Sequence, residues 1–454
     1  MKKYVAAIDL GTTKVVALVG EKTENGINII SFREAPSKGI MRGEVVNIQS
    51  VLDSLNPILS EIKEETSLPI KEVYVGIAGQ NIRCETNSNR RLRGKSDDLI
   101  TEKEIQEMEK EMFHSRVVPG EEVLHIIPQF YNVGEYLGQT NPVGMRGNQI
   151  EANYKLFIGK TGSADASKLV IQRTGMHLKK LILEPVASAK AVLSEDETEM
   201  GVAVIDIGGG TTDLLIYEEN VIRHAAVIPF GGNSITEDIR QGCGVSQRNA
   251  EQIKIQYGTS CADYAPENKI VAIPGIGGRE PREVSFKFIA SIIEARMEEI
   301  VEAVMYEIDK SGYADRLQAG IVITGGGSGL SGLASYIKQK SGYDTRIASP
   351  DKNVTFVAAE GCCKPSSSTA VGLIIKGFEY EENNSVILSI PSIRGELFPT
   401  PEEVAIEAEP EVAPKTKGKE KEKIKSEKTP KTKSFLGNIP NIFGDMFNPT
   451  NDEA

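Results

Sequence analysis

Two acidic turns contain the residues best suited to chemistry. Asp9 lies in the segment VAAIDLGTTKVVALV, and Asp206 lies in VAVIDIGGGTTDLLIY. In each, an apolar run ends at the aspartate, a glycine-containing turn follows and a second apolar run returns, which predicts strand, tight turn and strand. Glycines let backbone N–H groups approach an anion closely, and a carboxylate can orient a hydrated divalent cation. The repeated pattern predicts two turns that hold one nucleotide triphosphate from both sides of a cleft.

The two turns supply the predicted phosphate-binding residues, with Lys14 offering a cation to the phosphates. These residues are Asp9, Gly11, Thr12, Thr13, Lys14, Gly208, Gly209, Gly210, Thr211 and Thr212. Asp9 and Asp206 are the predicted Mg²⁺ residues, acting through water, and Asp206 is also a candidate catalytic residue. An ordinary hairpin with a polar turn is the alternative for either copy. Three successive glycines, however, cost backbone entropy that turn formation does not require.

Three further groups of residues are predicted to bind the adenosine part of ATP. They are Gly231 with Gly232, Glu251 with Lys254, and Gly325, Gly326 and Gly327. The last group follows a predicted buried strand, Ile321 to Thr324, and precedes a helix predicted from Ser331. We interpret these three glycines as a flat platform for adenine, because the two acidic turns already fill the phosphate-binding role that a dinucleotide fingerprint would have.

Glu251 and Lys254 stand three residues apart, so both would share one helix face. The carboxylate could accept hydrogen bonds from ribose hydroxyls while the lysine stem covers the base; a solvated ion pair is the alternative. The sequence G-x-x-x-x-G-K-[ST] is absent from the chain, which excludes a P-loop NTPase.

Length and composition narrow the class of protein. At 454 residues the chain is too long for one hydrophobic core, so two or more domains are expected. The net charge of −12 argues against a protein that coats nucleic acid. Five cysteines without C-x-x-C spacing and the lack of a long apolar run predict a soluble, cytosolic and reduced protein that is not secreted.

The composition changes sharply after Phe378, where the alternation of apolar strands and helical patterns stops. Residues 379–433 are predicted to be a disordered linker, because their Glu-rich and Lys-rich stretches have too few apolar residues to fold. Residues 434–448 regain an apolar stripe and are predicted to be an amphipathic membrane-targeting segment on an anionic bilayer. The lipid-facing residues would be Phe435, Leu436, Ile439, Ile442, Phe443, Met446 and Phe447. A terminal peptide that docks on a protein groove is the alternative.

The order of these motifs resembles the actin, Hsp70 and sugar-kinase superfamily. The first phosphate turn, a helix with LEPVASAKA, the second turn, GG before a helix, GGG and TAVGL near Thr369 follow one another as in that superfamily. The resemblance implies a role near the cation and the attacking water for Glu184, the second candidate catalytic residue. A helix-capping glutamate is the alternative.

Three other segments resemble the bacterial FtsA family of cell-division proteins: SKGIMRGEVVNI, VLHIIPQFY and NPVGMRG. The resemblance implies an α/β, actin-like, two-lobed ATPase fold with an inserted small subdomain. The expected ranges are 1–83, 165–200 and 350–378 for the first lobe (IA) and 84–164 for the inserted subdomain (IC). The second lobe (IIA) would be 201–234 and 298–349, and 235–297 would be subdomain IIB.

The same resemblance implies a function. The protein would bind ATP and Mg²⁺ with at most slow ATPase activity, polymerise on the cytoplasmic side of the cell membrane and tether FtsZ filaments there at the division septum. Its partners would be the FtsZ C-terminal peptide, other copies of itself, the anionic membrane surface as a peripheral protein, and other division proteins, but no nucleic acid. Five arginines of subdomain IIB could meet the acidic peptide, with ordinary surface charge as the alternative for each: Arg240, Arg248, Arg279, Arg282 and Arg296.

Three alternatives remain open at this stage. A related membrane scaffold for pilus assembly would share the fold, although SKGIMRGEVVNI and NPVGMRG argue against it. A sugar kinase of the same fold would need a carbohydrate pocket with a carboxylate base, and the membrane-like tail argues against that role. A chaperone ATPase would need a β-rich substrate domain after residue 378.

Overall fold

The computed structural model describes residues 3–24, 26–94, 98–273, 280–350, 354–356 and 361–383. The strands are β1 (Lys3–Leu10), β2 (Lys14–Thr23), β3 (Gly26–Pro36), β4 (Ile40–Met41), β5 (Glu44–Val45), β6 (Glu72–Ile77), β7 (Arg83–Leu92), β8 (Glu121–Val133), β9 (Tyr136–Gln139), β10 (Gln149–Lys160), β11 (His177–Leu183), β12 (Val202–Ile207), β13 (Thr212–Glu218), β14 (Val221–Ile228), β15 (Ile270–Ile273), β16 (Arg282–Ser285), β17 (Ile321–Thr324), β18 (Thr345–Ile347) and β19 (Val354–Phe356). The helices are α1 (Ile48–Thr66), α2 (Glu102–Met112), α3 (Thr161–Arg173), α4 (Glu184–Val192), α5 (Glu195–Met200), α6 (Gly232–Cys243), α7 (Gln247–Tyr257), α8 (Phe286–Ser311), α9 (Leu333–Ser341) and α10 (Ser368–Asn383).

Two large sheets repeat one arrangement of strands. The first has the order β11-β6-β1-β2-β3-β19, and the second has the order β14-β13-β12-β17-β18. Both hairpins predicted around the acidic turns are present: β1 pairs antiparallel with β2, and β12 pairs antiparallel with β13. Beside each hairpin a parallel neighbour completes the pattern, β6 next to β1 and β17 next to β12. The predicted strand Ile321–Thr324 is also observed with the expected bounds.

Helices α4 and α10 lie between the two sheets. The α10 helix packs on α4 and on β1, β2 and β6, while α4 also contacts β12 and β13. One apolar core extends from the first sheet through these helices to Val204 and Leu215 of the second sheet. A second core, which includes Ile293 and Ile300 of α8, covers the opposite face of the second sheet. Residues of both lobes therefore meet along this central helical layer.

The α8 helix shows how the sequence specifies a long element. Ser285 is its N-cap, because its side chain accepts a hydrogen bond from the Phe288 N–H, and Gly312 ends it in a left-handed conformation at φ 76°. Apolar residues recur at three- and four-residue steps along the buried face. This stripe continues without interruption across the boundary predicted between residues 297 and 298, so that boundary falls inside one helix.

The α10 helix likewise runs past the predicted start of the linker at residue 379. Glu379 forms ion pairs with Lys376 and Lys190, at 2.6 and 2.8 Å, and Glu381 accepts a hydrogen bond from the Tyr74 hydroxyl at 3.0 Å. These contacts hold the last turns of α10 on the first lobe. Glu379 and Glu381 therefore belong to the helix and not to the linker. The helix that the sequence predicted from Ser331 is α9, which begins at Leu333.

The segment between β6 and α3 forms a separate four-stranded sheet with the order β7-β10-β8-β9, covered by α2 and surrounding its own apolar core. It contacts the second lobe as well as the first: the buried Gln129 side chain donates from Nε2 to the Ile222 carbonyl at 2.9 Å. Among the described helices, none combines the length and apolar character needed to cross a bilayer.

Candidate nucleotide-binding site

The two predicted phosphate turns lie against each other. A Cβ atom added at Gly209 would overlap the Thr13 hydroxyl, and one added at Gly210 would lie 2.6 Å from the Thr12 Oγ1 atom. Only glycine permits this approach, because any larger residue would force the turns apart. The structure thus brings together residues about two hundred positions apart, at the ends of two equivalent hairpins.

The first turn is braced by its own lobe. The Thr12 Oγ1 atom accepts a hydrogen bond from the Gly43 N–H, and the Thr13 carbonyl accepts one from the Ser37 N–H, both at 2.9 Å. The backbone of Gly11 closes against the Lys14 carbonyl. The Lys14 ammonium lies 2.6 Å from a Glu34 carboxylate oxygen, so its nearest acidic partner is on β3.

The second turn is braced by the start of α6. The Gly208 carbonyl accepts from the Gly232 N–H at 2.9 Å, and the Gly209 carbonyl accepts from the Asn233 N–H at 2.8 Å. Gly231 packs on the same two carbonyl groups. The glycines predicted to contact adenosine therefore support the phosphate turn directly, because their backbone is bonded to it.

Glu251 and Lys254 form the ion pair that was the alternative interpretation of their spacing, at 2.8 Å. Solvent does not surround this pair, since the Lys254 side chain is only 15% exposed. Its ammonium also donates to the Gly232 carbonyl at 2.9 Å and to the Thr236 hydroxyl at 2.8 Å. The pair ties α7 to the beginning of α6, next to the second turn.

The glycine cluster after β17 adjoins the second acidic residue. Because β17 runs parallel to β12 with Thr324 opposite Asp206, the chain passes the carboxylate as it leaves the strand. A Cβ atom at Gly325 would overlap the Asp206 Oδ1 atom, and one at Gly327 would overlap the Ile207 side chain. Gly326 has open space, with its nearest neighbour Ser366 3.8 Å from such a Cβ atom.

Four carboxyl groups share one electrostatic environment in the cleft. Burial raises the pKa of Asp9 to about 7. The charge of Lys14 lowers this pKa, and the charge of Asp206 raises it. Burial also raises the pKa of Asp206, while hydrogen bonds from Ser188 and Thr369 lower it. The pKa of Glu184 is raised well above its usual range by burial and by the three neighbouring aspartates. A cation would relieve this repulsion.

Asp213 is the functional candidate that the sequence reasoning missed. It lies opposite Asp206 in the β12–β13 pairing, is 5% exposed, and leaves its Oδ1 atom without a hydrogen-bond partner among the described residues. Burial and the charge of Asp206 raise its pKa well above its usual range. Its position as the last acidic residue of DIGGGTTD was the signal that could have identified it.

An all-oxygen, acidic site suits a hard, hydrated cation such as Mg²⁺. Within the described part of the chain, no three His, Cys, Asp or Glu side chains converge closely enough to coordinate a metal ion directly. Glu184 is the first residue of α4, directly after the N-cap Leu183, and its side chain packs on Gly76. The role of Asp9 and Asp206 toward a hydrated ion stays a prediction.

The predicted peptide-binding arginines have several acidic partners within the protein. Arg240 pairs with Glu237, and Arg296 pairs with Asp238 at 2.7 Å and with Glu299 at 2.5 Å. Arg279 lies outside the described residues. The predicted membrane-contacting residues, from Phe435 to Met446 and Phe447, also lie outside the described residues.

Two sheets with matching strand order, joined by central helices and meeting at paired acidic turns, define an actin-like α/β fold with an inserted subdomain, which confirms the predicted fold class. The solved PilM–PilN type IV pilus biogenesis complex contains a chain of this fold, with a TM-score of 0.59 and 17% identity, covering 82% of this chain and 98% of that one.

The family model described as cell division protein FtsA matches residues 203–372, and the model for the SHS2 domain inserted in FTSA matches residues 79–158. The chain is 34% identical to cell division protein FtsA of Neisseria meningitidis over 84% of this chain and 92% of that protein. It is 33% identical to the Escherichia coli K12 protein of the same name, over 84% and 92%. The chain belongs to the FtsA family of cell division proteins, which confirms the resemblance identified in the sequence.

Proposed function

We propose that this protein is an ATP-binding, filament-forming adaptor that attaches FtsZ filaments to the cytoplasmic membrane at the division septum. The observation that carries the nucleotide part of the proposal is the contact between the two acidic turns. A triphosphate entering between them would meet backbone N–H groups and threonine hydroxyls from both lobes. Binding would therefore favour the closed arrangement of the lobes by mass action.

Each part of the site has a proposed role. Thr12, Thr13 and the glycine turn at 208–210 would hold the phosphates, and Asp9 and Asp206 would accept hydrogen bonds from water on Mg²⁺. The bound Mg²⁺ would neutralise phosphate charge. Glu184 and Asp213 face the same cleft, where a carboxyl group with a raised pKa is suited to orient a water molecule. Gly325, Gly326 and Gly327 would form the surface beneath the base.

The adaptor role is supported by the family and by the composition of the tail. Relatives over most of the chain are named cell division proteins. Residues 415–433 carry nine lysines and three glutamates, directly before the apolar stripe. Such a basic segment is attracted to anionic lipid, and each lysine near the surface adds about 1 kcal/mol. ATP would be mainly a structural ligand, with slow hydrolysis.

Replacing Asp206 tests the nucleotide site. Asp206→Ala removes a carboxylate that would hold the hydrated cation, so we expect at least a tenfold loss of affinity for a fluorescent ATP analogue in magnesium buffer. Asp206→Asn keeps the shape of the side chain and should lose affinity as well. Asp315→Ala, at an exposed position of the second lobe, is the matched control. Unchanged affinity in both Asp206 variants would contradict the assignment.

A further inference from the structure

We propose that Ser188 and Thr369 are positioning residues that orient Asp206 toward the nucleotide-bound cation and make this orientation depend on lobe closure. The inference rests on the proposed function, because it concerns the same nucleotide site. Neither hydroxyl is assigned to a phosphate or an adenosine contact. Each acts through Asp206.

Both hydroxyl groups converge on one carboxylate oxygen. The Ser188 hydroxyl donates to Asp206 Oδ2 at 2.5 Å, and the Thr369 hydroxyl donates to the same atom at 3.2 Å. The two hydroxyl oxygens are 2.9 Å apart. Ser188 is fully buried and Asp206 is 7% exposed, so bulk water does not readily replace either bond. A carboxylate held by two donors on one oxygen has a fixed plane.

The donors and the acceptor belong to different parts of the fold. Asp206 is the penultimate residue of strand β12 in the second sheet. Thr369 lies in the first turn of α10, which packs on β1, β2 and β6 of the first sheet. A movement that separates the lobes would therefore lengthen the Thr369 bond to Asp206.

The close packing of α4 and α10 brings the two hydroxyl groups together. A Cβ atom at Gly372 would overlap the Ala187 carbonyl, so glycine is needed where the helices approach. Gly372 stands three residues after Thr369, and Ala187 directly precedes Ser188. The helix contact therefore sets the geometry of the hydroxyl pair.

The test compares the full-length protein with Ser188→Ala, Thr369→Val and Thr369→Ser. Affinity for a fluorescent ATP analogue is measured with magnesium chloride and again with EDTA. Losing a hydrogen bond to a buried carboxylate should weaken binding about tenfold in magnesium, with little change in EDTA. Thr369→Ser retains the hydroxyl and should restore most of the affinity.

Ser368→Ala is the matched control, because Ser368 is buried beside Thr369 on α10 but hydrogen bonds to Thr324 instead, at 2.7 Å. It should leave the ratio of the affinities in magnesium and EDTA unchanged. Ratios in Ser188→Ala and Thr369→Val equal to that of the wild type would overturn the inference.

Hydrogen exchange of the nucleotide-free protein gives an independent readout. Backbone amides in the turns at 11–14 and 208–212 should exchange at least severalfold faster in Ser188→Ala and Thr369→Val, because the closed arrangement has lost an anchor. If the wild type shows no magnesium-dependent ATP binding, the proposed function fails, and the exchange measurement still decides the inference: unchanged rates in both turns would overturn it.

Discussion

The lack of a side chain at Gly209 allows the two acidic turns to meet. Gly209→Ala would place a methyl group on the Thr13 hydroxyl. Rotation of the hydroxyl alone would not clear the space, because the Thr13 Cβ atom is also only 3.1 Å away, so we expect the turns to stay apart and ATP affinity to fall at least tenfold. Fluorescence titration measures this. Gly162→Ala, where a Cβ atom meets nothing within 4 Å, should bind like the wild type, and equal affinities for both variants would contradict the prediction.

Residue types predicted the turns well and their surroundings less well. The repeated apolar–Asp–glycine pattern depends on local backbone geometry, which sequence spacing expresses directly. The hydrogen bonds of Ser188 to Asp206 and of Gly232 to Gly208 depend on tertiary contacts instead. The ion pair of Lys14 with Glu34 could not be predicted from the turn itself, because Glu34 lies on the neighbouring strand β3. Roles toward phosphate and base remain predictions for these residues.

Strand β8 contains a buried histidine that makes stability depend on pH. His125 is 1% exposed, and neither ring nitrogen has a hydrogen-bond partner among the described residues. Burial, with smaller effects of Lys180 and Lys376, lowers its pKa from 6.5 to about 3. The unfolded chain therefore binds a proton below pH 6.5 that the folded protein excludes, and stability falls as the pH falls.

This histidine should contribute a loss of about 2 kcal/mol in the free energy of unfolding between pH 6.5 and about pH 5. His125→Phe removes the titrating group, so its stability should decline less over this range. Urea unfolding at several pH values measures the difference. His177→Phe changes an exposed histidine on β11 and should keep the wild-type pH dependence. Parallel curves for His125→Phe and the wild type would show that His125 carries no such effect.

The elements that the sequence predicted best are those whose signal is local. Strand β17 was expected from three apolar residues and a threonine between glycines and has those bounds. The predicted subdomain boundary between residues 297 and 298 falls in the middle of α8. The family resemblance suggested which subdomains to expect, but it does not indicate where one helix continues from one subdomain into the next. The contact of Gln129 with Ile222, which joins the inserted subdomain to the second lobe, has no signature in either segment.

For the whole molecule, membrane attachment is the property that separates an adaptor from a nucleotide-binding enzyme of the same fold. Deleting residues 434–454 should leave ATP affinity unchanged and abolish co-sedimentation with anionic vesicles, since the apolar stripe is lost. The control replaces the same residues with a glycine–serine segment of equal length, which should behave like the deletion. Vesicle binding by the truncated protein would place the membrane contact elsewhere.

Filament formation would multiply a weak attachment, because many tails bound to one surface act together. Vesicle binding of the full-length protein should therefore rise steeply with protein concentration. A family model and relatives over 84% of the chain establish the division family. Filament assembly depends on contacts between many copies of the chain, and the spacing of residues within one sequence does not reveal such contacts.

The α10 helix has a mechanical consequence. Its first turn contacts Asp206 through Thr369, and its 16 residues span about 24 Å before the chain continues toward the tail. A pulling force on that tail would load the ion pairs of Glu379 and the Tyr74 contact of Glu381 first. Those contacts would resist the force, and only a force large enough to break them would reach the cleft along the helix.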